Sequence, residues 1–475
     1  MVELQTPMQA AQWLRQHVTG ELRTDSRQVR SGDGFIAWPG AATDGRQYMA
    51  RAFEQGASVC LMRREGGEPW QDQAPVDRVA ALPQLRQHTG LVADAYYEQP
   101  TQQLKVLAVT GTNGKTSTAC WLAQALGALG QPCGVVGTLG VGLWPELQST
   151  GMTTPDPVSL QHAFVQMLDA GARHCAIEAS SIGLAEHRLD GTRIRTAIFT
   201  NFTQDHLDYH GSMAAYWQAK QALFGWDGLE AAVINIDDAQ GAQLARQLQG
   251  AGLALWTCSR TKPSARLQAQ RLPSREGLCL EVREGEQSCR IDTALIGDYN
   301  IDNLLGVIGA LRAQGVSLVD AARACARLEP VPGRMQRVSA PAGRTAPLAV
   351  VDYAHTPDAL RQALAALRPL AQERGGRLWC VFGCGGDRDP SKRPLMAAVA
   401  EQGADRVVLT SDNPRSESPA AILAQLRAGL RQPQAALQIE DRAEAIAQTL
   451  AQSAAVDVLL VAGKGHETTQ EIAGV

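Results

Sequence analysis

Residues 104–118 read LKVLAVTGTNGKTST, and this stretch restricts the possible folds of the chain more than any other. A short apolar run closes on glycine. It is followed by KTSTACWLAQALGALG, whose apolar residues recur at helical spacing, so the local order is strand, loop, helix. Gly111 and Gly114 let backbone N–H groups approach an anion, and the helix offers its positive N-terminal end. Lys115 adds charge, and the Thr116 hydroxyl can ligate Mg²⁺. The strict phosphate-loop pattern GxxxxGK[ST] is not met, because Val109 stands where its first glycine would fall. The physical requirements survive that departure, since strand, loop, Lys-Thr and helix all coincide.

Similar apolar runs ending in small or polar residues follow at HCAIEASS, RTAIFTNF and AAVINID, then at LAVVDYAH, RLWCVFGCGGD, DRVVLTSDNP and DVLLVAGKG. Parallel α/β sheets read this way: crossover helices bury both faces, and the strand C-termini open into a ligand crevice. Two such sheets are implied. The turn-rich YYEQPTQQ sets off an N-terminal region that lacks the alternation, and LEPVPGRMQRV reads as a Pro/Gly linker between the two α/β blocks. At 475 residues the chain is too long for one core. The expected domains are residues 1–99, 100–332 and 333–475: a smaller N-terminal α/β domain, a central mononucleotide-binding α/β domain and a C-terminal Rossmann-like α/β domain.

Lys and Arg number 44 against 48 Asp and Glu, a net charge of -4 without a long basic run, which argues against a nucleic-acid partner. The ten cysteines are scattered without a CxxC pair, as in a reducing cytoplasm rather than a disulfide framework. No apolar run reaches membrane-spanning length, and MVELQTPMQAAQWLRQ lacks the basic start and apolar core of an export signal. The expectation is a cytoplasmic monomer.

The loop alone does not separate kinase, GTPase, motor and ligase. Its flanks resemble the Mur ligases, whose ATP loop reads GTNGKT[ST], and the similarity runs from TDSRQVRSGDGFIAWPG to AGKGHE. Within that family the chain is most similar to the members that add meso-2,6-diaminopimelate to UDP-N-acetylmuramoyl-L-Ala-D-Glu during peptidoglycan precursor synthesis. The resemblance implies an ATP-dependent amide ligase working through an acyl phosphate, with ATP as co-substrate and Mg²⁺ as cofactor. It implies ATP contacts at Gly111, Thr112, Asn113, Gly114, Lys115, Thr116 and Ser117. Asn300 and Asn303 of GDYNIDN are implied on the adenine side, and Arg334, Asp352 and His355 reach in from the third domain, so catalysis should need domain closure.

For magnesium the resemblance implies Thr116, Glu178 of AIEASS, His206 of NFTQDHLDYHG and Lys220 of YWQAKQALF. An unmodified lysine would repel the cation, and the family's matching lysine is carbamylated to N6-carboxylysine, which turns it into an oxygen ligand. Lys115, Glu178, His206 and Lys220 are thus the implied catalytic set. The muramoyl dipeptide is implied at Ser26, Thr153, Thr154, Ser180 and Arg188, with Ile182 standing where many relatives carry His and Glu186 where some carry Gln. Diaminopimelate is implied at Arg388, at Asp412, Asn413, Pro414 and Arg415, and at Gly463 and Glu467.

The Arg415 assignment also has a direct physical warrant. Diaminopimelate is lysine with a second carboxylate, which an arginine fork binds bidentately. A site left with that arginine unpaired rejects lysine by roughly 10⁴-fold. The alternatives are the same reaction with L-lysine, a nucleotide-switched binding protein, and a folate-polyglutamate-type ligase. The second leaves NFTQDHLDYHG and DNPR unexplained, and the third gives no reason for the N-terminal domain.

Overall fold

The computed structural model describes all of the chain except residues 41–42, 68–69, 71–75, 274–276, 339–345, 466, 468 and 473–475. The described chain forms two compact units. One comprises residues 1–110, 129–198 and 218–232; the other comprises 111–128, 199–217 and 233–475.

The first unit opens with a five-stranded sheet ordered Val2–Glu3, Val79–Leu82, Val59–Arg63, Gly34–Ala37, Leu22–Arg23, every pairing parallel. Alternate strand residues face opposite layers. Ile36 and Leu61 join Leu14, Val92 and Ala93 on one side, while Phe35, Ala37, Cys60 and Met62 join Met49 and Ala52 on the other. The flanking helix Pro7–His17 starts at a capping box: the Thr6 hydroxyl accepts from Gln9 N at 3.2 Å, Gln9 Oε1 accepts from Thr6 N at 3.3 Å, and proline takes the first turn. The N-terminal domain is α/β as expected, and its sheet is one more than the two that the apolar alternation implied, although the sequence there shows no such alternation. Its strands are two to five residues long and one of its helices spans only Met49–Glu54, too short for either period to show in the sequence.

The same unit carries the strands Ile194–Phe199, Lys105–Thr110, His174–Glu178, Cys133–Gly137, Gly140–Leu143 and Glu146–Gln148, neighbours in that order. Lys105–Thr110 pairs parallel with His174–Glu178, which pairs parallel with Cys133–Gly137; the hairpins beyond are antiparallel. Five of the six residues of KVLAVT are buried, the near-continuous apolar run of a strand covered on both faces.

In the second unit the strands order Gln287–Thr293, Leu278–Glu284, Leu267–Leu272, Ala254–Ser259, Ala231–Asn235, and the first three are antiparallel. Helix Lys115–Ala128 is buried on nearly every side, ten of its 14 residues being inaccessible. Such a helix shows no polar face because it has none to show. A further sheet orders Gln336–Val338, Leu348–Asp352, Val458–Ala462, Leu378–Phe382, Arg406–Leu409, Leu437–Gln438, parallel except at its first pair. Cys380 and Phe382 pack into one layer and Trp379 and Val381 into the other. The four central strands of that sheet end at residues 352, 382, 409 and 462, each just ahead of candidate site residues.

Candidate active site

The loop after Lys105–Thr110 is stitched to the chain that follows residue 199. Thr112 N donates to Asn201 O at 2.8 Å, and Asn113 N donates to the Asn201 side chain at 2.9 Å. The Thr200 hydroxyl and Asn201 Nδ2 donate back to Asn113 O at 2.6 and 3.1 Å. The Thr112 hydroxyl accepts from Thr203 N at 2.9 Å and lies 3.2 Å from the Tyr216 hydroxyl. Asn201 and Thr203 thus hold the loop at Thr112 and Asn113. Gly111 and Gly114 have φ of +145° and +87°, and a Cβ at either would run into Thr200 Oγ1 or Asn303 Oδ1. Lys115 Nζ donates to Gly111 O and Thr112 O at 2.9 and 2.8 Å, which keeps its charge inside the loop. Thr116 and Ser117 are buried at the helix start.

Asn300 and Asn303 lie buried on one side of helix Tyr299–Ala313. Asn303 Nδ2 donates to Asn300 Oδ1 at 2.9 Å, and Asn300 Nδ2 donates to Ile296 O at 2.7 Å. Arg334 donates to the Thr116 hydroxyl at 3.1 Å and lies over the Tyr353 ring at 4.4 Å. The buried Asp352 carboxylate accepts from Met335 N and Ala354 N at 2.8 and 2.9 Å, fixing the residue after Arg334. Burial pushes the Asp352 carboxyl up, against the pull of Arg334.

Asp205 lies between two of the singled-out histidines, 3.6 Å from His206 Nε2 and 3.8 Å from His355 Nε2. Burial opposes its ionisation, yet electrostatic interaction with His355, His206 and Lys392 holds it at about 2. Burial also pushes His355 below the usual histidine range, against the pull of Asp205. His206 takes a left-handed φ of 52°, uncommon outside glycine.

In the first unit Glu178, Thr153, Thr154, Ser180 and Arg188 form one network. The Glu178 carboxylate accepts from Thr138 N at 2.8 Å and from the Thr138 hydroxyl at 3.3 Å, and that hydroxyl lies 3.1 Å from Thr153 Oγ1. The Thr154 hydroxyl donates to Glu178 O at 2.8 Å and sits 2.9 Å from Ser180 Oγ. Arg188 donates to Thr154 O at 2.9 Å. Glu186 forms an ion pair with Arg86. Lys220 is only 1% exposed, near the end of helix Met213–Gln221. Ser26 is buried at the start of the turn Ser26–Gln28, which Asp25 caps by accepting from Arg27 N. Among the described residues no three His, Cys, Asp or Glu side chains gather as a ready-made metal cage.

The strand ends of the C-terminal sheet bring together residues called from three separate motifs. Arg415 has φ of 51° and donates to Gly386 O at 2.8 Å; Gly386 N in turn donates to Asn413 O at 2.9 Å. Asp412 accepts from Asn413 N at 2.7 Å, and a Cβ on Gly463 would lie 2.6 Å from Asp412 Oδ2. Pro414 O accepts from Glu417 N at 3.0 Å, which closes the turn. Glu467 accepts from Gly465 N at 2.8 Å, and the exposed Arg388 donates to Asp387 O at 3.2 Å. His466 of AGKGHE lies outside the described residues.

Sequence reasoning missed several side chains that shape these loops. Lys464 donates to Asn413 Oδ1 at 2.8 Å, and the buried Arg442 donates to Ser411 O and Ala462 O at 3.3 and 2.8 Å. Asn201 and Asp205 lie inside NFTQDHLDYHG, so that cluster was their signal. Arg393 lies inside GCGGDRDPSKRP without standing out there, and Arg442 lies in no motif, because the partners of both are distant in sequence.

Three family descriptions match the sequence in order: "Mur ligase family, catalytic domain" over residues 20–97, "Mur ligase middle domain" over 109–311 and "Mur ligase, glutamate ligase domain" over 333–465. The UDP-N-acetylmuramoyl-L-alanyl-D-glutamate–2,6-diaminopimelate ligase of Acidovorax sp. (strain JS42) is 60% identical across 99% of this chain and 94% of its own length. The chain belongs to the Mur ligase family. The enzyme of that name from Pseudomonas aeruginosa is 46% identical over 96% of this chain and 92% of its own. A solved structure bearing the name is 36% identical, covers 96% of this chain and 91% of its own, and superposes with a TM-score of 0.65. The Mur ligase fold extends to more distant proteins. The Thermotoga maritima MurF ligase in complex with ADP matches at 17% identity and TM-score 0.66, covering 95% of each chain. A Mycobacterium tuberculosis folylpolyglutamate synthase covers only 80% of this chain and 92% of its own, at 20% identity and TM-score 0.64.

Proposed function

We propose that this Mur ligase adds meso-2,6-diaminopimelate to UDP-N-acetylmuramoyl-L-Ala-D-Glu in peptidoglycan precursor synthesis. ATP phosphorylates the γ-carboxylate of the D-glutamate, the amine of diaminopimelate attacks the acyl phosphate, and ADP and phosphate leave. The observation that carries this reading is the 60% identity, end to end, with the Acidovorax ligase of that name.

The geometry supports roles for this chain's own residues. Residues 111–117 grip the ATP phosphates through backbone N–H groups and Lys115, with Asn300 and Asn303 on the adenine side. Arg334, anchored on Tyr353 and placed by Asp352, brings a cation to the loop at Thr116, and His355 faces the same nucleotide. Ser26, Thr153, Thr154, Ser180 and Arg188 hold the muramoyl dipeptide. Arg388, Asp412, Asn413, Pro414, Arg415, Gly463 and Glu467 hold diaminopimelate: the Arg415 fork takes the distal carboxylate and Glu467 takes an ammonium. The domains divide near residues 99 and 332, in the gaps between matched segments.

The donor set fits magnesium: Thr116 supplies a hydroxyl at the helix start, Glu178 a buried carboxylate, and a carbamate on Lys220 another hard oxygen. Thr116, Glu178, His206 and carbamylated Lys220 would hold Mg²⁺, which neutralises phosphate charge when bound. The carbamate would form when the neutral Lys220 amine attacks the carbon of CO₂ and releases a proton, and the side chain is almost fully buried. The enzyme acts in the cytoplasm as a monomer. In support of that compartment, all ten cysteines are unpaired, and among the described residues no helix is long and apolar enough to cross a membrane.

The deciding experiment measures phosphate release from ATP with the UDP-linked dipeptide, alone and with either diaminopimelate or L-lysine. The expected result is turnover only with diaminopimelate. Preference for lysine would reject the reading of Arg415, and turnover indifferent to both substrates would reject ligase chemistry.

A further inference from the structure

Arg393 is among the most deeply buried charged side chains of the protein, 1% exposed, and no step described above uses it. It stands second in its helix, Lys392–Gly403, inside GCGGDRDPSKRP, and it points at the other arginine-bearing loop. Its two terminal nitrogens donate to both oxygens of Glu417, each at 2.8 Å. They also donate to Gln425 Oε1 at 2.7 Å and to Gly385 O at 3.1 Å. Glu417 passes the connection on, since its Oε1 accepts from Asp387 N at 2.6 Å. Asp387, with φ of 53°, then accepts from Ser416 N at 3.2 Å and from the Ser416 hydroxyl at 2.6 Å. A closed circuit therefore joins residues 385–387 to residues 413–417. Arg388 and Arg415 sit on its two sides.

We propose that Arg393 and Glu417 are positioning residues: a buried clamp that sets the spacing of Arg388 and Arg415 and so tunes the site to an amino acid carrying two carboxylates. The inference rests on the diaminopimelate reading above. Bidentate recognition demands a fixed distance between guanidinium and carboxylate. Both recognition arginines lie on loops, and one of them, like Asp387, holds a left-handed backbone that only a rigid surround maintains. Gly385 and Gly386 allow the close approach: a Cβ on Gly385 would lie 2.9 Å from the Arg415 guanidinium, and one on Gly386 would collide with Pro414 O. The Arg393–Glu417 pair is the only ion pair among the described residues that spans these two loops through a fully buried arginine. It supplies rigidity without touching substrate.

The test uses the full chain and compares Arg393→Lys and Glu417→Gln with the parent. Initial rates are measured while each of diaminopimelate, ATP and the UDP-linked dipeptide is varied, and melting temperature is recorded alongside. Both variants are expected to raise the KM for diaminopimelate by about 10- to 100-fold, the scale of an ångström misplacement, with the other two KM values moving less than about twofold. The ratio of diaminopimelate to lysine turnover should fall with them. Should Arg393→Lys fail to fold, Glu417→Gln, at a partly exposed position, carries the test. Unchanged diaminopimelate KM in a folded variant, or equal increases in all three, overturns the clamp while leaving the ligase assignment intact. Absence of diaminopimelate turnover in the parent overturns both.

Discussion

Gly114→Ala probes the loop at the point where backbone and side-chain constraints coincide. A non-glycine residue at φ +87° costs about 1–2 kcal/mol by itself. The new Cβ would also land on Asn303 Oδ1. Asn303 cannot swing away freely, because its Nδ2 donates to Asn300 Oδ1 at 2.9 Å in a buried setting. Losing that bond leaves Asn300 Oδ1 buried without a donor, which costs about 1–3 kcal/mol. The sum, about 2–5 kcal/mol, corresponds to a loss of roughly 30- to 5,000-fold in kcat/KM for ATP if the strain falls on the nucleotide-binding geometry. The assay is initial-rate kinetics in ATP with a melting curve for each variant. Repeating the substitution in an Asn303→Ala background separates the two causes: with the collision removed, the second step should cost only the backbone share, about 1–2 kcal/mol. Gly127→Ala in the same helix is the control, since nothing lies within 4 Å of its Cβ position. It should stabilise the fold by up to about 1 kcal/mol. A Gly114→Ala enzyme within about threefold of the parent, or an equal cost in both backgrounds, refutes the reasoning.

Arg334→Ala removes both the hydrogen bond to Thr116 and the stacking on Tyr353, so the KM for ATP should rise about tenfold or more. Arg334→Lys should not restore it, since an ammonium cannot stack and fork at once. Burial, with Lys105 as a second cause, pushes His174 down to about 4, and neither of its ring nitrogens has a hydrogen-bond partner among the described residues. The unfolded chain therefore takes up that proton first, so stability is lost as pH falls from 6.5 toward 4. His174→Leu should flatten this part of a urea-denaturation profile. Asp302 has the opposite sign. Burial chiefly, then Asp237 and Asp298, outweigh Arg260 and push it up to about 7, so the folded state keeps a proton that the unfolded state releases, and stability falls as pH rises from 3.8 through 7. Asp302→Asn should melt higher than the parent at pH 8, by about 1–3 kcal/mol in stability, and match it at pH 4. Of the ten cysteines only Cys289 is partly exposed, so brief alkylation of the native enzyme should label that residue alone, read by peptide mass.

The alternation of apolar runs with small residues made the central and C-terminal sheets legible, because strands such as KVLAVT and LWCVF are buried on both faces and carry almost no polar residues. The N-terminal sheet was not legible as a unit. Val2–Glu3 and Leu22–Arg23 have two residues each, and a period of two cannot be seen in two positions. The antiparallel margin at residues 267–293 was also invisible as such, since LQAQRL and QSCRIDT alternate too loosely to separate a half-covered strand from a loop.

The same contrast runs through the site, and it divides by sequence distance. Gly111, Gly114, Lys115 and Thr116 belong to one motif, so their joint purpose is readable from spacing alone. Asn201 becomes part of that loop only because the strand Ile194–Phe199 ends where its side chain can accept from Asn113 N, 88 residues away. Arg393 and Glu417 are 24 residues apart on different elements, and Arg442 ties Ser411 to Ala462 across three. Nothing local distinguishes these arginines from solvated ones, and a lone arginine in a sequence is more often exposed than buried. Burial reverses that reading. A guanidinium removed from water must be met by acceptors on almost every N–H, so the loops that supply those acceptors are held at fixed separations. Residues that touch ligand are therefore the ones a sequence announces, because motif spacing records them. The residues that set the distances between motifs are announced only by the fold, and the kinetics of the Arg393 and Glu417 variants measure how much of the selectivity depends on them.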